Sequence, residues 1–193
     1  MTSLIDPKKY TKTLDLLRSF FLAKNFYEVH TQNRLSILAA CEDPETVATY
    51  NYGGNIWPLP QTGQMWLEYE LLKNPEAPGF FCLSTSYRAE PNPVPGRHET
   101  IFPMFEFEMH GDVHDLKVME IELCEHLGIP LDPENIKTYG EWQDKYSVRE
   151  LDHGHEAAIG RGMITEFPEW TSPFWNMSTN NDGTSRKIDV ILN

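Results

Sequence analysis

Apolar and polar positions follow two different periods along this chain, and the switches between them mark out its elements. From Asp6 onward the apolar residues Tyr10, Leu14, Leu17 and Phe21 recur every three or four positions, the spacing of one helical face. Asp6 can cap a helix and Pro7 suits its first position, so a helix is predicted to begin there. A second helix is predicted after Pro60 and Gly63, with Gln64 and Glu68 one turn apart on one face. Read as an ordinary amphipathic helix, it would bury Met65, Tyr69 and Leu72. Residues 112 to 128 give a third, with Leu116, Met119, Leu123 and Leu127 on one side and Gly128 as a stop. Residues 138 to 161 are charged and mostly helical by pattern, and read as solvated surface. Residues 42 to 58 are rich in turn formers, including Gly53 and Gly54.

The period shortens in the middle of the chain. The run Phe80 to Arg88 has strand character, the loop PNPVPG follows, and a second extended run covers Thr100 to Met109, so an antiparallel pair is predicted. Side chains alternate across a strand, which places Phe102, Met104, Glu106 and Glu108 on one face. Ile101, Phe105, Phe107 and Met109 share the other, which reads as core. The first face therefore gathers a ring and two carboxylates, with Arg88 on the neighbouring strand and Arg97 and His98 at the loop exit. A guanidinium forks onto phosphate oxygens, and fixed cations meet the charge that grows on phosphate during displacement, so this face suits a nucleotide. A surface hairpin with ordinary salt bridges is the competing reading.

The spacing Arg88-Ala89-Glu90, a loop, Arg97-His98, Phe102, Glu106 and Glu108 resembles motif 2 of the class II aminoacyl-tRNA synthetases. The resemblance implies that Arg88 grips the α-phosphate of ATP and acts in catalysis. By the same likeness Glu90 takes the adenine side, Arg97 or His98 the outer phosphates, and Phe102 stacks on adenine. Thr62-Gly63-Gln64-Met65 followed by Glu68 resembles the S-G-Q-L-x-x-E segment of the asparaginyl branch, which implies amino-acid binding by Gln64 and Glu68. A carboxylate can accept the NH2 of a side-chain amide, whereas a substrate carboxylate needs a cation. The neighbours Trp66, Leu67 and Glu68 supply none, which favours asparagine over aspartate. Ile164 to Met177 and Arg186 to Asn193 resemble the family's strand pair that leads to the metal-binding end of the site. The fold implied is α+β, an antiparallel β-sheet flanked by helices, and the likeness covers most of the chain from about residue 20 onward.

The departures shape the expectation as well. In the family a magnesium-holding carboxylate and then motif 3 lie beyond the position of Asn193, so the chain reads as a single catalytic domain truncated before motif 3. Magnesium would bridge the phosphates of ATP, and Glu106 and Glu108 are weak protein candidates for it. The segment Asn25 to Gln32 resembles motif 1, which pairs subunits, although Gln32 stands where a proline is usual. A homodimer is the assembly implied. Residues 42 to 58 fall where the family has a mobile loop closing over the amino acid.

Composition narrows the rest. With 193 residues, 40% of them hydrophobic, the chain can bury one proper core. A net charge of -13 disfavours nonspecific nucleic-acid binding, and there is no room for an anticodon-binding barrel, so tRNA is a partner by family resemblance alone. No apolar run is long enough for a membrane span and Met1 to Ile5 has no secretory character, so a cytoplasmic protein without membrane contact is expected. Cys41, Cys82 and Cys124 are widely spaced and read as buried thiols. His110/His114 and His153/His155 lack a third ligand at metal spacing and read as surface or capping residues. Three functions fit: an asparaginyl-type synthetase core, a free-standing amide ligase that activates aspartate for ammonia, and a non-catalytic paralogue.

Overall fold

A computed structural model describes residues 5–34, 44–94, 98–171 and 177–192. Of the residues singled out in the sequence, Arg97, Cys41 and the stretch from Ser172 to Asn176 lie outside this set. The chain forms two compact units, one of Met1–Lys12 and Arg18–His110, the other of Thr13–Leu17 and Gly111–Asn193.

Helix α1 (Pro7–Ala23), whose residues Thr13–Leu17 group with the second unit, starts where the sequence places it. The Asp6 carboxylate accepts the backbone N–H groups of Lys8, at 2.9 Å, and Lys9, at 3.3 Å, which satisfies two donors that a bare helix end would leave open. Strand β1 (Tyr27–Glu28) follows. Strands β2 (Thr49–Tyr52) and β3 (Asn55–Pro58) pair as a hairpin across Gly53 and Gly54. Both glycines have positive φ, 60° and 79°, the backbone that a two-residue hairpin turn requires and other residues resist. The described part of the turn-rich segment is thus largely a hairpin.

Helix α2 (Gln64–Lys73) leads into β4 (Gly79–Tyr87), and β5 (Ile101–Met109) returns antiparallel to it. The sheet order is β1-β4-β5, with β1 parallel to β4. Pro103 fits because β5 is an edge strand, where a missing N–H costs no ladder bond. On one face of this sheet Phe21 packs within 5.4 Å of Phe105 and 4.9 Å of Phe107, ring centre to ring centre, and Phe81 stacks on Phe105 at 5.3 Å. This is the core face that the alternation predicts, except that Ile101, at its end, is exposed. On the other face Leu67 and Leu71 of α2 pack on Phe80 and Cys82. The buried stripe of α2 is therefore Leu67 and Leu71, while Tyr69 and Leu72 are exposed, against the amphipathic reading.

The second unit contains α3 (Val113–His126), β6 (Ile136–Thr138), α4 (Tyr139–Tyr146), α5 (His153–Ile159), β7 (Arg161–Pro168) and β8 (Thr184–Leu192). Its sheet order is β6-β7-β8, with β7 and β8 antiparallel around an irregularity between Thr165 and Phe167. Tyr139, Trp142, Ile159, Ile164 and Phe167 form one core cluster, and Cys124, Leu131 and Met163 another. The charged stretch read as solvated surface thus supplies a fully buried tryptophan, Trp142. Its polar residues cap instead: Thr138 and Asp152 each close a capping box that starts a helix. Both units mix helices with antiparallel pairs, so the predicted α+β class holds.

Candidate functional site

The register of β4 and β5 sets Ser86 opposite Phe102, Ser84 opposite Met104, Cys82 opposite Glu106 and Phe80 opposite Glu108. Residues opposite one another in an antiparallel pair point the same way, so this is one face, and α2 begins on it. Glu106 anchors that helix start. Its carboxylate accepts the Thr62 hydroxyl, the Gly63 backbone N–H at 2.8 Å and the Ser84 hydroxyl at 2.5 Å. Gly63 is required for the approach: a β-carbon there would sit 2.9 Å from Cys82 Sγ and 3.0 Å from Glu106 Oε2. Burial, and then the Glu106 charge beside it, push the Cys82 thiol up to about 12, so it stays protonated and inert.

One turn along, Gln64 Nε2 donates to Glu108 Oε2 at 3.3 Å, and Glu68 adds a second negative charge nearby. Burial first, with the Glu68 charge adding to it, pushes the Glu108 carboxyl up to about 7, although the Gln64 hydrogen bond pulls the other way. The predicted pair Gln64 and Glu68 therefore meets a strand carboxylate that the sequence reading had set aside for metal.

At the other end of the face the Arg88 guanidinium lies over the Phe102 ring, 5.5 Å from its centre, and its Nε lies 3.5 Å from Ser86 Oγ. Arg88 is exposed, Glu90 and Phe102 half-buried. The backbone after Arg88 is tied back by Ala89 N–H donating to Thr46 O at 2.8 Å. The His98 ring turns to its own loop, where Nδ1 accepts the Val94 N–H at 3.2 Å. Phe102 and Glu106 are four positions apart on one strand, about 13 Å at the usual rise.

Glu106 and Glu108 make a poor magnesium site. A hard cation needs free anionic oxygens. Those of Glu106 are engaged by three donors, and Glu108 is half-protonated near neutral pH and bound to Gln64.

Arg34 was missed in the sequence. With Thr31, Thr62, Gly63, Trp66 and Tyr87 it lines a cavity of about 140 Å³. The guanidinium lies over the Trp66 ring, 4.9 Å from its centre, and Nη2 donates to Glu70 at 2.5 Å. Trp66 and Glu70 are one helical turn apart, so α2 presents ring and carboxylate together, a clamp invisible while Arg34 lies far away in sequence. No helix among the described residues is long and apolar enough to cross a membrane.

No family model matches the chain. No curated protein matches it in sequence. Its fold does match solved structures. Asparaginyl-tRNA synthetase from Pyrococcus horikoshii, complexed with asparaginyl-adenylate, superposes with a TM-score of 0.75 at 18% identity, over 93% of this chain and 48% of that one. Asparaginyl-tRNA synthetase from Entamoeba histolytica, in complex with asparaginyl-adenylate, gives 0.73 at 17% identity, over 94% and 48%. A putative aspartyl-tRNA synthetase from Leishmania major Friedlin gives 0.70 at 14% identity, over 94% and 49%. The chain thus has the fold of the class II synthetase catalytic core that its motifs imply, and spans about half the length of these proteins.

Proposed function

We propose that this chain carries an amino-acid-activating site, in which ATP and an amino acid, asparagine by preference, react to give an aminoacyl-adenylate and pyrophosphate. One observation carries the reading: a single strand face has a cation over a ring at one end and an amide–carboxylate cluster at the other. Phe102 and Glu108 are six positions apart on the strand, about 20 Å at the usual rise, which leaves room for a ribose and a phosphate between a base and an amino acid.

In this reading adenine stacks on Phe102, Glu90 borders it, and Arg88 turns from the ring to the α-phosphate. Arg97 or His98 takes the outer phosphates. A carboxylate oxygen of the amino acid forms the new bond to the α-phosphorus as the bond to the pyrophosphate oxygen breaks, so no proton has to move. Catalysis then rests on holding the two reactants in line and on the Arg88 charge meeting the growing negative charge. Magnesium enters on the phosphates of ATP. Gln64, Glu68 and Glu108 take the amino acid, and their acceptor oxygens favour an NH2 group over another carboxylate. Transfer to tRNA and assembly as a homodimer extend the same proposal.

The test is amino-acid-dependent ATP/pyrophosphate exchange on the 193-residue chain, with asparagine and aspartate assayed separately. Exchange with asparagine, abolished in a folded Arg88→Ala variant, is expected. Undiminished exchange in that variant would overturn the phosphate assignment. Exchange with aspartate alone would move the reading to an amide ligase with ammonia as acceptor.

A further inference from the structure

The second unit holds a cavity of its own, about 370 Å³ in volume and so of small-ligand size. A backbone irregularity makes its floor. Glu166 has a positive φ of 56°, and the β7–β8 pairing shifts between Thr165 and Phe167. In a regular strand Ile164 and Phe167, three positions apart, would face opposite sides. Here the shift brings both into one core cluster, and both border the cavity. Tyr139 lies 5.2 Å from Phe167 and 5.8 Å from Trp170, ring centre to ring centre, so three rings of the lining stand together.

Two of the chain's own cations already rest on these rings. Lys187 Nζ lies 4.1 Å from the centre of Phe167, and the Arg149 guanidinium 5.4 Å from that of Trp170. The negative face of a ring attracts positive charge, so the wall suits a cation. Lys187 also donates to Asp189 at 2.7 Å, and those two charges cancel. The other charged residues of the lining, Glu150 and Glu156, pair with no cation among the described residues. Two negative charges therefore remain open. A metal ion does not suit them, because among the described residues no three His, Cys, Asp or Glu side chains converge to hold one. The charges are spread around a cavity whose lining also includes the apolar Leu151 and Ile164. Spread anions with hydrocarbon between them match a ligand of the same plan and opposite sign.

We propose that this cavity binds an aliphatic diamine, its two ammonium groups on Glu150 and Glu156 and its chain against Leu151, Ile164 and the ring wall. Lys187 is a resident competitor, since it occupies the Phe167 face and the Asp189 carboxylate that a ligand ammonium would otherwise use. Removing Lys187 should therefore tighten binding, whereas removing the open carboxylates should loosen it. The inference uses no residue of the β4–β5 face and stands whether or not the chain activates an amino acid.

The test is calorimetric titration of cadaverine into the 193-residue chain, with pentylamine, which has the same chain and one charge, and magnesium chloride as comparisons. Folding of each variant is checked by circular dichroism. Cadaverine should bind more tightly than pentylamine or magnesium. The double variant Glu150→Gln, Glu156→Gln should weaken it on the order of tenfold. Lys187→Met should strengthen it a few-fold. A control, Glu134→Gln with Asp144→Asn, removes two exposed carboxylates that do not line the cavity and should change nothing. Equal weakening in both double variants would mean that the diamine answers only to net charge, and overturns the site. Absence of cadaverine binding, or a preference for pentylamine or magnesium, overturns the ligand class. Weaker binding in a folded Lys187→Met overturns the competitor role. If that variant does not fold, the two double variants decide.

Discussion

The two faces of the β4–β5 hairpin are built from the same two strands and serve different ends. One is aromatic: Phe81, Phe105 and Phe107 close on Phe21, with Phe21 and Phe81 fully buried and Phe105 and Phe107 half-buried. The other carries Arg88, Phe102, Ser84, Glu106 and Glu108, where Arg88 lies over Phe102, Ser84 and Gly63 donate to Glu106, and Gln64 donates to Glu108. The difference teaches how a strand can be both scaffold and site. The period of two sends every second residue to the core, where burial stabilises the pair, and leaves the alternate residues at fixed spacing for chemistry.

That division can be broken most severely from the aromatic side. Phe21→Ala removes a fully buried ring that touches Phe81, Phe105 and Phe107, and should cost about 3–5 kcal/mol in denaturant unfolding. A loss below about 1 kcal/mol would mean that the aromatic face is not what holds the hairpin.

On the polar face the effects on stability should be smaller and graded. Glu106→Ala strands the Thr62 and Ser84 hydroxyls and the Gly63 N–H, and should cost about 1–3 kcal/mol, with faster hydrogen exchange in the first turn of α2. Unchanged exchange there would show that the carboxylate does not anchor the helix.

Glu108 sharpens the comparison through pH. Its carboxyl titrates at about 7 in the fold against 4.5 ordinarily, so the folded chain holds this proton the more tightly. The contribution to stability is therefore full at low pH, falls as pH rises from about 4.5 to about 7, and is flat above. Glu120, in the second unit, is pushed up to about 7 by burial and by the Asp189 charge, and contributes in the same window. Glu108→Gln should remove the Glu108 part of the slope and leave the Glu120 part, which the difference in melting temperature between variant and wild type across that range would read out. A difference that does not vary with pH would contradict the assignment.

Least affected in stability should be Arg88→Ala, within about 0.5 kcal/mol, since the side chain is exposed and rests on one ring. A much larger loss would make Arg88 a structural residue and blur the distinction between the faces.

Local signals were legible in the sequence because they are carried by neighbours in the chain. The Asp6–Pro7 helix start, the two faces of β5 and the α2 start after Gly63 follow from spacings of four residues or fewer, and the β4–β5 pair from two extended runs joined by one Pro/Gly-rich loop. Patterns diluted by charge were harder to read. Trp142 and Tyr139 sit among acidic and basic residues, so their helix looked solvated, yet it closes the core of the second unit. The Gly53–Gly54 segment reads only as turn-rich in the sequence because its flanking strands are short and mostly exposed.

What the sequence by itself determined is the class of the fold and the types of residue on the candidate face, since both depend on periodicity and on which side chains alternate. Only the tertiary structure decided how those residues are engaged. It gave Glu106 to a helix start and Glu108 to Gln64, and it brought Arg34 to Glu70 and Trp66 across a long stretch of chain. A carboxylate or a guanidinium has the same letter whether it is free, capping or paired. Its partner is fixed by packing between elements, which no local spacing encodes.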